Sequence, residues 1–402
     1  MKNFSKEDKY LLHLCADQKF IDYEIDFFET VYPDRNIYFI EFQDKLSELK
    51  QVKSNHPNIV SGSADSPQFR ELTDHISDFA AVVLHNIVNP YKLKVILESP
   101  AVVYFHWMCW GMDLYSIPTL ARRTLLPETK KYLKEKSSFK DNFVRILFNN
   151  SSLLFNLFYY LKNRKRSPLS ELMECFKKIG SVSTVIPPEY DIIKRYISPD
   201  ILYYPFKYST IEGFDSEGEF KICKADNLLL GNSATIENNH LDAFIRIKSI
   251  DVGNRLIYCP LSYGDSSYVS YGKHISSVGK KTFGEQFVPM TEFIPLKDYS
   301  DILDLCGNVV MYHIRQQAMG NVVMSLWKGA RLFLLEENPI YGFLKEQGAI
   351  VYKISELDRI QDLPDYNTLA NHNRPILKRI YSRQQVLSEA LALVNILKNK
   401  GL

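Results

Sequence analysis

Short runs rich in β-branched and aromatic residues alternate with longer amphipathic stretches, and the series occurs twice along the chain. Runs of this kind, without strict polar alternation, read as strands buried on both faces, as in a parallel sheet. The first series predicts strands at residues 9–15, 37–42, 79–84, 101–105, 182–185 and 201–204. Helices follow the first strand through Phe27, Phe28 and Val31, fill residues 90–97, and cover roughly 118–178. The second series opens at residues 227–231 and continues with strands at 256–259, 287–289, 308–314, 332–335 and 349–352. Its helices are predicted at residues 238–247, 266–281, 299–305 and 320–328, with one more reaching Glu346. Residues 375–400 read as one long amphipathic helix, with Ile376, Ile380, Leu387, Leu391, Val394 and Leu397 at helical spacing.

A polar stretch at 207–226, containing Gly213, Asp215, Ser216, Glu217 and Gly218, separates the two series and reads as a linker. Strand–helix alternation on each side implies an α/β protein with two Rossmann-like, doubly wound sheets facing one cleft. The expected domains are residues 1–210, carrying a basic aromatic helical insertion at about 118–178, and residues 211–374. Residues 375–402 are expected to form a terminal helix that packs back on the first domain. A chain of 402 residues is long enough for this arrangement.

Composition changes the picture in two places. The net charge of +2 gives no global reason to expect nucleic acid. Between residues 121 and 180, however, fourteen Lys or Arg oppose five Asp or Glu. There Phe143, Leu147, Leu154, Phe155, Phe158 and Tyr159 are expected to dip into an anionic membrane surface. Lys162, Arg164, Lys165 and Arg166 would meet its headgroups. The apolar run 143–161 is interrupted by Arg145 and several Asn and Ser, too polar to span a bilayer. The six cysteines form no Cys-x-x-Cys pair and read as buried thiols of a reducing compartment. The N-terminus carries no hydrophobic signal region. The expected location is cytoplasmic, peripheral on a membrane. Nothing in the pattern sets an oligomeric state.

The candidate chemistry collects at predicted strand ends. Arg315, Gln316 and Gln317 follow one buried run, and Gly320 and Asn321 open the next helix. Glu336-Glu337-Asn338-Pro339 follows another strand. Strand carboxyl ends and helix N-termini are where open α/β sheets receive anionic ligands, a nucleotide diphosphate being the simplest. Gly231 directly follows a strand, where a missing Cβ lets a ligand approach, with Asn232 and Ser233 next and His240 in the following helix. Tyr263, after Pro260, is placed to stack on a base or sugar. For a general base the options are Asp113, His85 at a neighbouring strand end, and Asp17 after the first strand. No Asp-x-Asp occurs, so no metal or other cofactor is expected, and Arg315 with a helix dipole would neutralise the phosphates. P-loop, Gly-x-Gly-x-x-Gly and Gly-x-Ser-x-Gly motifs are also missing.

These motifs, in order, resemble the TDP-N-acetylfucosamine:lipid II N-acetylfucosaminyltransferases of enterobacterial common antigen assembly. Trp110-Gly111-Met112-Asp113-Leu114-Tyr115 is similar to that family's Trp-Gly-Ala-Asp-Leu-Tyr. Leu230-Gly231-Asn232-Ser233, with Asn238 and His240, is similar to its Val-Gly-Asn-Ser and Asn-x-His. Pro260-x-x-Tyr263, Arg315-Gln316-Gln317-Ala318-Met319-Gly320 and Glu337-Asn338-Pro339 resemble further motifs, as do His85 with Asn89-Pro90 and His13 with Asp17. The chain departs from the family in a longer, more basic 116–225 region and in Ala318, where the family has Gly. The resemblance implies a GT-B glycosyltransferase with the donor nucleotide in the C-terminal domain and the acceptor in the N-terminal one. The implied donor is an amino-deoxy sugar on a nucleotide diphosphate, dTDP by family, and the implied acceptor a polyprenyl-diphosphate-linked oligosaccharide at the inner membrane face. On this expectation Gly231, Asn232, Ser233, His240, Tyr263, Arg315, Gln316, Gln317, Gly320, Asn321, Glu337 and Asn338 bind donor. Asp113 or His85 deprotonates the acceptor if the reaction inverts, with Asp17 a third option. A nucleotide-sugar epimerase of the same shape and a non-catalytic membrane scaffold remain the alternatives.

Overall fold

A computed structural model describes residues 6–18, 20–42, 48–121, 123–136, 152–214, 221–264 and 268–400. The predicted membrane contacts Phe143 and Leu147, and the linker residues 215–218, lie outside these. The chain divides into one unit of residues 1–117, 151–210 and 381–402, and another of residues 118–150 and 211–380.

Each unit is built on a parallel sheet. The first unit's strands are β1 (Leu11–Ala16), β2 (Asn36–Glu41), β3 (Ile59–Gly62), β4 (Ala81–His85), β5 (Phe105–Cys109), β6 (Ile179–Thr184) and β7 (Leu202–Tyr203), in the order β3-β2-β1-β4-β5-β6-β7. The second unit's are β8 (Leu228–Leu230), β9 (Ile257–Pro260), β10 (Phe287–Met290), β11 (Asn308–Met311), β12 (Arg331–Leu334) and β13 (Tyr352–Lys353), in the order β10-β9-β8-β11-β12-β13. In both sheets the chain winds outward from the first strand, then returns to lay its fourth strand against the first. The switch points where adjacent loops diverge are therefore β1/β4 and β8/β11, and ligands of open α/β sheets bind at such points.

The central strands explain the apolar runs. β1, β4, β5, β8 and β11 are buried along their whole length, as helices on both faces require. His13 sits in the middle of β1 with no exposed surface, and a polar ring there must find partners inside the protein.

Three expectations are corrected. The strand predicted at 101–105 lies at Phe105–Cys109, because residues after Pro100 turn, with Val103 N–H bonding Pro100 O at 3.1 Å. This shift places Trp110-Gly111 at the carboxyl edge of β5. The edge strand β3 has no counterpart in the prediction; its four residues, Ile-Val-Ser-Gly, are too few and too exposed to show alternation. The long terminal helix is two helices, Tyr366–Tyr381 and Arg383–Leu397. Ser382 interrupts it in an extended conformation, and its hydroxyl accepts from Gln385 N–H, as an N-cap does.

The last helix completes the first unit's core. Val386, Ala390, Leu393, Val394 and Leu397 pack in one cluster with Ile25, Phe27 and Phe28 of the Ile21–Val31 helix. Leu393→Ala should therefore lower the stability of this unit by about 3 kcal/mol, read by urea unfolding. A change below about 1 kcal/mol would mean the helix only rests on the surface.

Candidate functional site

At the carboxyl ends of β8 and β11 the polar side chains of the second unit form two knots. The first ties Asn232, Ser233, Thr235, Asn238 and Gln317 together. Asn238 Oδ1 accepts from Asn232 N–H at 3.1 Å, and its amide nitrogen donates to Ser233 O at 3.0 Å and Thr235 Oγ1 at 2.9 Å. Gln317 Nε2 donates to Asn232 Oδ1 at 2.8 Å, and Asn232 Nδ2 to the Tyr263 hydroxyl at 3.2 Å. Three separated stretches of sequence are thereby held at one sheet edge. Gly231 makes the turn into this knot at φ +68°. A Cβ there would lie 2.8 Å from Asn238 Oδ1 and 3.1 Å from His240 Nε2. The glycine thus makes room for the protein's own polar groups, where the sequence suggested room for a ligand.

The second knot joins β11 to β12. Asn338 Oδ1 caps the Pro339–Glu346 helix through Ile340 N–H at 2.9 Å. Its amide nitrogen, thus oriented, lies 2.8 Å from both His313 O and His313 Nδ1. Nδ1 also lies 3.0 Å from Arg315 O, a carbonyl that can only accept, so the Asn338 amide and the Arg315 carbonyl compete at this nitrogen. Asn338 is therefore a helix cap and a support for His313. Glu337 beside it is exposed, and Gln316 is buried.

His240 Nε2, His313 Nε2 and Gln317 Oε1 are buried and hydrogen-bond to nothing among the described residues. Burial pushes both imidazoles down to about 3, helped by His313 acting on His240 and by Arg315 on His313. Both rings are neutral at pH 7. Unanswered buried polar atoms are rare, and each calls for an explanation such as an absent ligand. His313 was missed by the sequence reading because it falls inside a run taken as strand. A histidine at the end of an apolar run was the available signal.

Ala318, Met319, Gly320 and Asn321 form the start of the Met319–Trp327 helix. Ala318 sits at φ +60°, a left-handed conformation that disfavours any Cβ. Asn321 Nδ2 donates to the Tyr299 hydroxyl at 3.0 Å.

In the first unit none of the three candidate bases has exposed surface. Asp17 accepts from the main-chain N–H groups of Lys50, Gln51 and Val52 at 2.6–2.9 Å, so it holds a loop. Asp113 accepts from the Trp107 indole at 2.6 Å and the Cys109 thiol at 3.6 Å. Burial pushes its carboxyl above the usual carboxylate range against these hydrogen bonds. His85 has both ring nitrogens engaged: Nε2 meets His13 Nδ1 at 2.9 Å, and Nδ1 meets Glu24 Oε2. Glu24, which carries no sequence motif, also accepts from the Trp110 indole at 3.2 Å. Among the described residues one carboxylate–imidazole group, Glu29, Asp34 and His56, has a metal-like arrangement. Glu29 already accepts from Asn36, the Tyr38 hydroxyl and Asp34 N–H, which satisfies it without an ion.

The basic stretch is divided. Residues 118–150 belong with the second unit. There Asp242 accepts from Glu128 and Thr129 N–H, and Asn239 from Leu126 N–H, capping the Pro127–Lys136 helix from outside. The Ser152–Asn163 helix belongs with the first unit. Its outward face is the expected one only at Leu154. Phe155 is buried, and Phe158 and Tyr159 are half-buried. Leu154, Leu157, Tyr160 and Leu161 stand out at 55%, 55%, 52% and 59% exposure. Phe155, Phe158 and Tyr159 turn inward because the helix must bury large groups against its own unit, while the Tyr160 ring stays outward. Lys162, Arg164, Lys165 and Arg166 are exposed just beyond. No helix among the described residues is long and apolar enough to cross a membrane.

Known proteins resemble the chain at two levels. The model of the family described as 4-alpha-L-fucosyltransferase, glycosyl transferase group 56, matches residues 144–365, more than half of the sequence. Among solved structures, sucrose-phosphate synthase from Thermosynechococcus elongatus superposes at a TM-score of 0.63 with 9% identity, covering 96% of this chain and 99% of that one. An alpha-glucosyltransferase in complex with UDP-glucose and DNA reaches 0.54 at 8% identity, with the same coverage of 96% and 99%. WaaG, a glycosyltransferase involved in lipopolysaccharide biosynthesis, reaches 0.52 at 8%, again covering 96% and 99%. At these identities the likeness shows the fold alone, and that fold is GT-B.

Ala318→Gly should stabilise the protein by about 1 kcal/mol by relieving the left-handed alanine, read as a rise in unfolding midpoint. A fall would mean that the alanine methyl makes contacts worth more than the strain.

Proposed function

The chain belongs to the 4-alpha-L-fucosyltransferase family, glycosyl transferase group 56, and is a glycosyltransferase; we propose that it moves an N-acetylfucosamine-like amino-deoxy sugar from a nucleotide diphosphate, dTDP by resemblance, to a polyprenyl-diphosphate-linked oligosaccharide. The observation that carries the donor assignment is the pair of buried, unanswered Nε2 atoms of His240 and His313 at the β8/β11 switch point. A diphosphate is a polar ligand of the kind such buried atoms lack. The positive end of the Met319–Trp327 helix and the Arg315 guanidinium add charge. Donor oxygens held by neutral imidazoles, a helix terminus and one arginine need no divalent cation. Gln317 with Asn232, Tyr263 and exposed Glu337 are then available to the sugar, base or ribose.

Catalysis in this reading rests largely on stabilising the departing diphosphate, whose negative charge grows as the glycosidic bond breaks. The donor atoms are already ordered by Asn338 and by the Asn238 knot, so little reorganisation is needed. The acceptor falls to the first unit, as in the family the motifs resemble.

The membrane part of the proposal is carried by the Ser152–Asn163 helix. An aliphatic face of Leu154, Leu157 and Leu161, with Tyr160 beside it and four cations following, suits the interface of an anionic bilayer. It would bring the enzyme to a lipid-linked acceptor.

Gly320→Val should cost the second unit its nucleotide affinity by at least tenfold in calorimetric titration, because a branched side chain crowds the helix start. Affinity unchanged from wild type would remove the helix terminus from the phosphate site. The double substitution Leu157→Glu and Leu161→Glu should reduce co-sedimentation with phosphatidylglycerol vesicles at least tenfold, while neutral vesicles bind weakly in either case. Equal pelleting of variant and wild type would refute the interfacial helix. Sugar-nucleotide turnover without acceptor would instead indicate an epimerase.

A further inference from the structure

The first unit contains a buried chain of titratable groups whose hydrogen positions are fixed by its ends. Asn36 starts it. The Asn36 amide nitrogen donates to Tyr32 O at 2.8 Å and Glu29 Oε1 at 3.1 Å, so the amide oxygen is the atom 3.2 Å from His13 Nε2. His13 Nε2 must then carry hydrogen. In a neutral ring this leaves Nδ1 as an acceptor, and it lies 2.9 Å from His85 Nε2. His85 Nε2 therefore donates, and its Nδ1 turns a lone pair toward Glu24 Oε2. Two lone pairs cannot face each other in contact, so a proton lies between His85 and Glu24.

That proton can sit on either partner. On His85 it makes an imidazolium and a carboxylate, two charges with no exposed surface. On Glu24 it makes a neutral acid and a neutral ring. Burying an ion pair costs several kcal/mol per charge before attraction returns it. The Lys92 ammonium, bound to His85 O and Asn86 O, stands against a second cation on the His85 ring. The neutral pair is favoured on both counts. The shifts agree in direction: burial lowers His85, with Lys92 adding to it, and burial raises Glu24 to about 8.

We propose that Glu24 is a positioning residue of the acceptor-side sheet edge that works in its protonated form, its O–H filling His85 Nδ1 while its other oxygen holds the Trp110 indole. The word acceptor-side rests on the function proposed above; the protonation does not. Trp110 closes β5 immediately before Gly111, which turns at φ +91°, and also meets Phe20 edge-on at 6.3 Å. One proton thus ties the ends of β4 and β5 to the Ile21–Val31 helix. When Glu24 ionises, either His85 exchanges its ring hydrogen and breaks with His13, or its contact with Glu24 becomes repulsive.

The titratable groups facing Glu24 are Cys15 and His13 of β1, Tyr38 of β2, His85 of β4, Lys92 of the Pro90–Glu98 helix, and Tyr208. Lys92, itself lowered to about 8 by burial, titrates in the same range. Its ammonium is the one cation among these that would favour ionised Glu24. An acid raised from 4.5 to about 8 binds a proton when folded that it lacks when unfolded. Its contribution therefore makes stability fall as pH rises across that window and level off above it. His13 and His85, lowered from 6.5, act oppositely but only below 6.5, so the range from 6.5 to 8 reports Glu24.

The test is two-bond ¹⁵N–¹H correlation on the full chain labelled at histidine and tryptophan, titrated from pH 6 to 9.5. The expected result is neutral, Nε2–H tautomers for His13 and His85 at pH 6.5. The His85 and Trp110 signals should then move together with a midpoint near pH 8. Glu24→Gln, whose amide can donate to His85 and accept from Trp110, should keep the pH 6.5 pattern throughout. A doubly protonated or Nδ1–H His85 at pH 6.5 in the wild type would overturn the proposal. So would the same midpoint in Glu24→Gln. Should that variant not fold, the wild-type tautomers at pH 6.5 decide alone, because Lys92 titrates near the same midpoint. None of these readouts uses a sugar nucleotide, so failure of the proposed transfer reaction would leave them untouched.

Discussion

A neutral imidazole buried at the end of a parallel strand must have both of its nitrogens answered, and the two units meet this constraint differently. In the first, Asn36, His13, His85, Glu24 and Trp110 answer one another in a closed series. In the second, His240 and His313 each leave Nε2 without a protein partner among the described residues. An unmade hydrogen bond in a dry interior costs about 1–3 kcal/mol. Two of them at one switch point suit a polar ligand. The first unit's edge meets more of its ring nitrogens internally, although Asn86 Oδ1, just after β4, has no partner among the described residues.

This contrast organises the chemistry of a GT-B glycosyltransferase. In the function proposed, the second unit sets buried neutral imidazoles near a helix terminus, which suits a leaving group whose charge increases during reaction. The first unit holds its rings and indoles by internal hydrogen bonds. Asp113 and Asp17 are occupied there by Trp107 and by main-chain amides, and their substitution bears first on local structure.

Much of the architecture was legible because parallel strands advertise themselves. The buried runs of β1, β2, β4 and β8–β12 stand out, and Gly231, Asn232, Gln317 and Tyr263, far apart in sequence, meet at one edge. What stayed hidden has identifiable physical reasons. β3 is short and half-exposed, so it has no pattern to read. Ser382 looks like any surface serine until its hydroxyl is seen to cap the following helix. Glu24 sits mid-helix among Asp22, Asp26 and Glu29, and only the fold turns it alone inward toward His85. His313 was concealed inside an apolar run, and the outward face of the Ser152–Asn163 helix was assigned to its aromatics when packing claims them.

In the function proposed, the second unit binds a nucleotide diphosphate through buried imidazoles and a helix terminus, without a metal. The most direct measurement is a thermal-shift panel of TDP, UDP and GDP on the full chain, each with magnesium and with chelator. At least one of these should raise the unfolding midpoint equally in both conditions, and His313→Ala should diminish the rise. No shift with any of the three, or a shift that appears only with magnesium, would contradict it.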